Sequence, residues 1–509
     1  MTYPAPVQPY SYGFYELTQK WQHALSWLKF SKILLLAACS ATAVQADSAD
    51  YPELNDQGEF SLMGTLADHG WHDLQDERWN IYGQGTYIGS YQPSFPAAYT
   101  NLNGTPNSLL PNSAYGFTAT VTIYAGFKAW KGAEFYYAPE MISELPFSGL
   151  KGVGGSIQNF ELQKNGAESA SWYTSRAIYR QTLSFGGTES HVNSGPMQLA
   201  GAVNSRRFVF TAGAFSILDI FDKNTYAGDL RHQFTNMAFL TNAAYDFAAD
   251  ARGYTTGLAG EFYYDDWAFR FARIAGPMDP NEMSRNLNIL KYYGDQIELE
   301  HQHVIKDQPG AIRILGYRNR EQSGSFADAI ATFQTDPNKN ATTCPGFSYG
   351  SPNAAAPDLC WVRKANIKMG IGINMEQSIT SDIGVFFRGM YSDGKTEVYS
   401  YTSADRSLSL GGIMKGTSWE RQKDSIGLGY AQSWISQSHV AYLSMGGIDG
   451  FIGDGAITYK PEQVVDIYYQ WHVMKSVWLT ADYQHLANPG YNADRGPVNF
   501  YNGRVHLEF

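Results

Sequence analysis

The sequence has few charged residues, few cysteines and no long hydrophobic run. Charged residues make up 17% of its 509 residues, against roughly 25% in ordinary soluble domains. No run reaches the roughly 18 apolar residues of a membrane-spanning helix, so a helical membrane bundle is excluded. Three cysteines are too few for a disulfide-rich scaffold. The chain has 48 acidic and 37 basic residues, and this acidic excess argues against nucleic-acid binding.

Aromatic residues and glycine are abundant instead. Phe, Trp and Tyr make up 15% of the chain, and there are 50 glycines. Such a hydrophobic content is incompatible with an intrinsically disordered chain. Two classes fit this composition: a large soluble β protein and a β-barrel in a membrane.

The amino-terminal region predicts export. Lys29 and Lys32 precede a short apolar core at 33–44, and a small-residue cleavage site ends at Ala46, as in a secretory signal peptide. The alternative is a lipoprotein signal, with the lipid on Cys39. We expect residues 1–46 to comprise an amino-terminal extension and the signal, with 47–78 forming a periplasmic segment and 79–509 the folded domain.

The remaining cysteines, Cys344 and Cys360, lie in a segment rich in Pro, Asn, Ala and Gly. An even pair in an exported protein predicts one disulfide that closes a long loop. Neither a neighbouring histidine nor a second cysteine pair supports a metal site. We therefore predict no metal ion and no cofactor.

Apolar and polar residues alternate along most of the chain. At 117–129 the odd positions are Phe, Ala, Val or Ile, and the even positions begin with Thr118, Thr120 and Thr122. This period of two is typical of β-strands, and its length suits a strand that crosses a bilayer. The other candidate strands lie at 79–88, 132–138, 172–185, 206–217, 254–264, 267–274, 294–303, 310–319, 367–376, 383–391, 407–414, 424–434, 439–447, 465–473 and 477–485.

The character of these strands favours a membrane barrel over a sandwich. Their apolar faces carry aromatic residues near the ends, and their polar faces carry Thr, Gln, Glu and Arg, as in barrels with aromatic girdles and a polar interior. We predict an all-β, transmembrane antiparallel β-barrel. Bacterial barrels use even strand numbers, so we expect 16 strands, with 18 as the alternative. Barrels of this size enclose a water-filled lumen.

The chain ends on one further amphipathic strand. Tyr501, Gly503, Val505, Leu507 and Phe509 alternate with polar residues. A final strand that ends in phenylalanine resembles the assembly signal of bacterial outer-membrane barrels, so Phe509 is the predicted signal.

Several stretches resemble the carbohydrate-selective porins of Gram-negative bacteria, the OprB type. They read QPSFPAAY at 92–99, AGAFS at 212–216 and ANPGYNADRGPV at 487–498. The resemblance spans most of 79–509 and implies a 16-stranded barrel with passive diffusion of sugars. The amino-terminal extension and the segment between the two cysteines depart from the family pattern.

Strand parity identifies candidate pore-lining residues. On 132–138, Glu134 and Tyr136 are expected to point inward. On 172–185, we expect Tyr173 and its apolar neighbours to face outward, with Arg176 and Arg180 facing the lumen. Glu134 with the two arginines is a candidate mixed-charge constriction. The other inward candidates are Glu261, Arg270, Glu298 and Glu300.

Residues 219–245 lack strand alternation and are expected to form short helices or a folded loop, as are residues 279–291. The segment from Asp219 to Phe239 is a candidate constriction loop. Its candidate exposed residues are Asp222, Asn224, Tyr226 and Arg231. The alternative is an interfacial or subunit-contact loop.

We predict an outer-membrane porin for sugar-preferring diffusion of small hydrophilic solutes, because sugars need hydrogen-bonding groups of both signs and flat aromatic surfaces. A general or organic-acid porin is one alternative, and an outer-membrane barrel enzyme is another. The expected partners are monosaccharides or small oligosaccharides, outer-membrane lipid and lipopolysaccharide, and the barrel-assembly machinery. A homotrimer and a monomer both remain open.

Overall fold

A computed structural model describes residues 62–163, 167–337, 353 and 355–509. The predicted signal peptide, Cys39 and Cys344 lie outside these residues. The strands are β1 (Trp79–Gln92), β2 (Ala114–Trp130), β3 (Ala133–Leu145), β4 (Ser171–Val192), β5 (Gly201–Phe215), β6 (Thr255–Tyr264), β7 (Trp267–Ile274), β8 (Tyr293–Ile305), β9 (Gln308–Ser323), β10 (Lys364–Ser378), β11 (Ile383–Ser392), β12 (Arg406–Gly416), β13 (Arg421–Trp434), β14 (Glu462–Met474), β15 (Val477–Ala487) and β16 (Val498–Glu508).

The sixteen strands close into one antiparallel barrel. Each strand pairs with its neighbours in sequence, and β1 closes the barrel against β16. The final strand is held at its end by Phe509, whose backbone N–H donates to the carbonyl of Gly83 at 2.9 Å. The prediction of 16 strands is confirmed, and the alternative of 18 is wrong.

The two ends of the barrel differ. At one end, which we call the turn end, segments of two to eight residues join the strands in pairs. At the other, the loop end, the connections are longer, and the longest are 216–254 and 324–363. In outer-membrane barrels the short turns face the periplasm and the long loops face outward.

The outer wall is apolar, because every second residue of a strand faces away from the lumen and most of these residues are apolar. On β2, Phe127 is exposed on this face, whereas Thr118, Thr120 and Thr122 are buried inside. Exposed aromatic side chains gather at both ends of the wall, as in membrane barrels. Those at the turn end are Trp79, Trp130, Tyr264, Trp267 and Trp471, and those at the loop end are Tyr115, Trp172 and Tyr391.

The described part of the chain contains four short α-helices besides the barrel: α1 (Leu62–Asp68), α2 (Met237–Leu240), α3 (Phe326–Thr335) and α4 (Gln437–Ser444). Among the described residues, no helix is both long and apolar enough to span a membrane. The predicted strand at 439–447 is wrong, because α4 covers most of it. Ser436 caps this helix by accepting from the backbone N–H of His439, and the buried His439, Tyr442 and Leu443 follow helical spacing.

A β-bulge alters the parity of β4. The pairing with β3 shifts so that Arg176 faces Ala138 while Thr174 faces Pro139, which leaves Ser175 as an extra residue. A bulge reverses the alternation of the side chains beyond it. Tyr173 therefore points inward, where its hydroxyl donates to the buried Glu140. The prediction that Tyr173 faces outward is wrong for this reason.

Candidate functional site: a charged constriction in the barrel

The connection between β5 and β6 folds into the barrel. We call residues 216–254 the inner loop. Asn224 Nδ2 donates to Asn374 Oδ1 on β10 at 2.7 Å, and Asn236 Nδ2 donates to Gln484 Oε1 on β15 at 2.8 Å. These partners lie on widely separated parts of the wall, so the loop crosses the lumen and narrows it. Its buried aromatic residues are Phe221, Phe234, Phe239, Tyr245, Phe247 and Tyr254.

Alternating charges run across the inner wall from β6 to β10. Arg270 Nη1 lies 2.7 Å from Glu298 and 3.0 Å from Glu300, and Arg270 Nε lies 3.3 Å from Glu261. Arg313 continues the series, since its Nε lies 2.5 Å from Glu300 and its Nη2 lies 3.2 Å from Glu376. We call these six residues the charge ladder. Buried charges require such paired partners.

The charge ladder holds the inner loop. The backbone N–H of Asp222 donates to Glu298 Oε2 at 2.7 Å, and the N–H of Thr225 donates to Glu376 Oε2 at 2.6 Å. Arg388 on β11 adds a further anchor, because its Nη2 donates to the Asp222 carbonyl at 3.0 Å and its Nε lies 3.3 Å from Asp222 Oδ2. The charge ladder on the barrel wall thus holds the inner loop in the position that narrows the lumen.

The adjoining part of the wall, on β3 and β4, carries a more accessible cluster. Arg180 Nη1 lies 3.9 Å from Glu134 Oε2, and its guanidinium carbon lies 4.9 Å from the ring centre of Tyr136. The Arg180 side chain is 27% exposed. Arg176 instead makes a bidentate ion pair with Asp219, at 2.6 and 2.7 Å. Arg176 therefore anchors the start of the inner loop and does not pair with Glu134.

The structure separates the predicted site residues into two groups. Glu261, Arg270, Glu298 and Glu300 have inward parity, but their side chains are almost wholly covered within the ladder. Asp222, which was expected to be exposed, is buried against Arg388. Asp222 is buried because the inner loop packs against the wall. Three of the predicted loop residues are partly accessible: Asn224, Tyr226 and Arg231.

Other lumenal residues were missed by the sequence analysis. Arg207 on β5 is half-buried, and its guanidinium carbon lies 3.9 Å from the ring centre of Tyr263. Tyr263 donates to Glu261 at 2.6 Å. Arg313, Glu376 and Arg388 were also not singled out as site residues. Inward strand parity was the available signal for all of these residues, but it does not distinguish a pore-facing residue from a covered one.

Comparisons with known proteins agree with this architecture. The model of the carbohydrate-selective porin family, OprB, matches residues 107–509. The high-pH structure of Pseudomonas putida OprB is similar in fold at 14% identity and a TM-score of 0.63, covering 88% of this chain and 96% of that one. The outer-membrane channel DcaP of Acinetobacter baumannii aligns at 10% identity and a TM-score of 0.45, covering 85% and 97%. No curated protein sequence matches the chain.

Proposed function

This chain belongs to the OprB family of carbohydrate-selective porins and is a sugar-preferring channel of the outer membrane, and we propose that its solutes pass beside Arg180, Arg207 and Tyr263. The observation that carries this proposal is the inner loop, which fills part of the lumen and leaves these residues partly accessible. Guanidinium groups donate several hydrogen bonds to sugar hydroxyls, and the Tyr263 ring, 3.9 Å from the Arg207 guanidinium carbon, holds that group in place.

Solute uptake into liposomes tests this assignment. We expect glucose to enter faster than a neutral non-sugar of similar size. The substitution Arg207→Gln should lower that ratio by about two- to tenfold, the equivalent of one hydrogen bond. Arg206→Gln is the matched control, because Arg206 pairs with Asp265 at the exposed turn end. Equal ratios for wild type and Arg207→Gln would contradict the proposed path.

The partly exposed cations also favour an organic-acid porin as a second candidate. Arg180 and Arg207 lie on neighbouring strands, and Tyr263 lies within electrostatic range of Lys223 on the inner loop. A dicarboxylate such as succinate would be attracted to these groups. The channel is a general or anion-preferring porin if succinate enters liposomes faster than glucose and a chloride gradient dissipates as fast as succinate enters.

The family and the fold indicate a channel rather than an enzyme. We propose that the chain has no hydrolytic activity. His439, a buried histidine at the loop end, lies between Asp405 and Asp449 at 3.0 and 3.1 Å, so neither ring nitrogen is directed at a nucleophile. Ester or peptide hydrolysis by the purified barrel, abolished by His439→Gln, would contradict this.

We propose that residues 47–78 form a periplasmic segment at the turn end. Glu77 supports this, because its Oε2 accepts from the backbone N–H of Ala200 at 2.8 Å, in the turn between β4 and β5. We further propose that export uses the segment ending at Ala46, that a disulfide joins Cys344 and Cys360, and that the assembly machinery recognises Phe509. Mass spectrometry of the mature protein tests the cleavage site and the disulfide, and Phe509 deletion tests assembly.

The remaining partners are proposals as well. The exposed apolar wall and its aromatic girdles suit contact with outer-membrane lipid and lipopolysaccharide. For the assembly state we propose a homotrimer, to be tested against a monomer by light scattering of the detergent-solubilised protein. A protein mass of one chain would overturn the trimer.

A further inference from the structure

Two histidines and a glutamate converge where the inner loop meets the last strand. His232 lies on the inner loop, and His506 and Glu508 lie on β16. The Nε2 atom of His232 is 3.0 Å from Glu508 Oε1, and the Nε2 atom of His506 is 2.9 Å from the same oxygen. One ligand atom from each residue lies within 4.8 Å of the others.

The outer contacts of His506 fix which of its nitrogens faces the cluster. Its Nδ1 lies 2.8 Å from Thr86 Oγ1, and the Thr86 hydroxyl donates its one proton to Gln84 Oε1 at 2.7 Å. Thr86 therefore accepts from His506 Nδ1–H, and the lone pair of Nε2 points towards Glu508. A second hydrogen bond that sets the tautomer in this way is a regular feature of metal-binding histidines.

His232 is supported from behind in a similar manner. Its Nδ1 lies 3.1 Å from the side-chain amide of Gln470 on β14. The oxygen and nitrogen of such an amide exchange places by a half-turn, which here gives up only a long 3.5 Å contact from the Gln470 amide nitrogen to the Arg231 carbonyl. Gln470 can then accept from Nδ1–H and leave Nε2 free for a ligand. Both neutral imidazoles then present a lone pair to the same point beside a carboxylate, where one bound cation can take the place of the protons in the two histidine–glutamate hydrogen bonds.

The donor set selects the ion. Two imidazoles and one carboxylate form a three-ligand zinc set that leaves a fourth position for water or another ligand. Calcium and magnesium prefer oxygen ligands throughout. The His232 and Glu508 side chains are 18% and 25% exposed, while His506 is buried, so the cluster is partly accessible to an ion.

Neighbouring cations are directed away from this point. Arg504 donates to the backbone carbonyls of Leu230 and Gln233 and to the Thr480 hydroxyl. Asp229 adds a negative charge close by, since it accepts from the backbone N–H of His232 at 3.2 Å. The surroundings therefore tolerate a divalent cation.

We propose that His232, His506 and Glu508 form a Zn²⁺ site that fastens the inner loop to the barrel wall. The ion would join the inner loop to the last strand near the turn end, where His506 pairs with Thr86 and Glu508 with Gln84. Zinc in the periplasm would thereby stiffen the constriction and reduce fluctuations of the channel current.

The test uses the untagged, folded barrel in detergent with Zn²⁺ as the probe. Equilibrium dialysis should find one Zn²⁺ per chain, and Ca²⁺ or Mg²⁺ at the same concentration should not displace it. His232→Gln should weaken binding at least tenfold, and Co²⁺ should give the visible absorption of a tetrahedral site in wild type but not in His232→Gln. His303→Gln is the control, because His303 contacts Gln377 elsewhere on the barrel.

His232 lies on a loop, so its variant is expected to keep the β-sheet circular dichroism of wild type. In single-channel recordings, micromolar Zn²⁺ should quiet the current of wild type and of His303→Gln but not that of His232→Gln. Failure of wild type to bind Zn²⁺, or equal binding by wild type and His232→Gln, would overturn the proposal. Either result leaves the sugar channel unaffected, since sugar uptake is measured without metal.

Discussion

Arg388 is the side chain on which the inner loop depends most directly. It is fully buried, and it contacts Asp222 as well as the carbonyl of Phe239 at 2.8 Å. Removing one partner of a buried ion pair leaves an uncompensated charge, which costs about 3–5 kcal/mol. The geometry of the constriction is therefore sensitive to a residue that touches no solute.

We predict that Arg388→Gln releases the inner loop from the wall. Single-channel conductance should rise and become noisier, because the loop no longer narrows the lumen continuously. In the double variant Asp222→Asn with Arg388→Gln, the conductance and its noise should return part of the way to the wild-type values, since no unpaired carboxylate remains. Arg406→Gln serves as a control, because Arg406 lies at an exposed position over the Tyr391 ring. Unchanged conductance in Arg388→Gln would contradict this role.

At the scale of elements, α3 and α4 form a small second core at the loop end. Phe326 of α3 stacks on His439 of α4 with 4.2 Å between the ring centres, and both side chains are buried. Burial opposes protonation of His439, but the carboxylates of Asp405 and Asp449 outweigh it and raise the pKa of His439 from 6.5 to about 9.

This shift predicts a pH-dependent loop end. A raised pKa means that the stabilisation is fully present below pH 6.5 and is lost as the pH rises through about 9. Limited proteolysis within 435–461 should therefore increase above pH 9 in the wild type. His439→Gln should be cleaved to the same extent at pH 7 and pH 9.5. This variant also controls for any change in the activity of the protease between the two pH values. A wild-type pattern that does not change with pH would refute the charged histidine.

At the scale of the whole molecule, the barrel has an inverted distribution of polarity. Its apolar side chains face outward between aromatic girdles, and its charged side chains meet inside. Long connections emerge at one end only. A membrane orientation follows from this asymmetry, with the loop end outside the cell.

Cysteine labelling in intact cells tests the orientation. Leu290 lies in the connection between β7 and β8, and its side chain is 84% exposed. The variant Leu290→Cys should therefore react with a membrane-impermeant maleimide. Ser418→Cys, in the short turn between β12 and β13, should react only after the outer membrane is opened. The reverse pattern would show that the loop end faces the periplasm.

The sequence by itself determined the wall of this protein. Alternation along segments such as 117–129 and 367–376 specifies which side chains face lipid, because a strand repeats every two residues. The number of such segments, with the amphipathic final strand and the rule that bacterial barrels have an even number of strands, led to a 16-stranded barrel, although the segment 439–447 is mostly the helix α4. The same parity predicted that Glu134 and Arg180 point inward, and the structure pairs them on adjacent strands.

Only the tertiary structure decided the interior. Local periodicity says nothing about a connection without regular structure, so the burial of Asp222 and the pairing of Arg176 with Asp219 were not accessible. The bulge at Ser175 changed parity without a sequence signal. His232 meets Glu508 across 276 residues, because the inner loop folds back onto the last strand. Contacts of that kind depend on the closed barrel, which brings distant segments to one point.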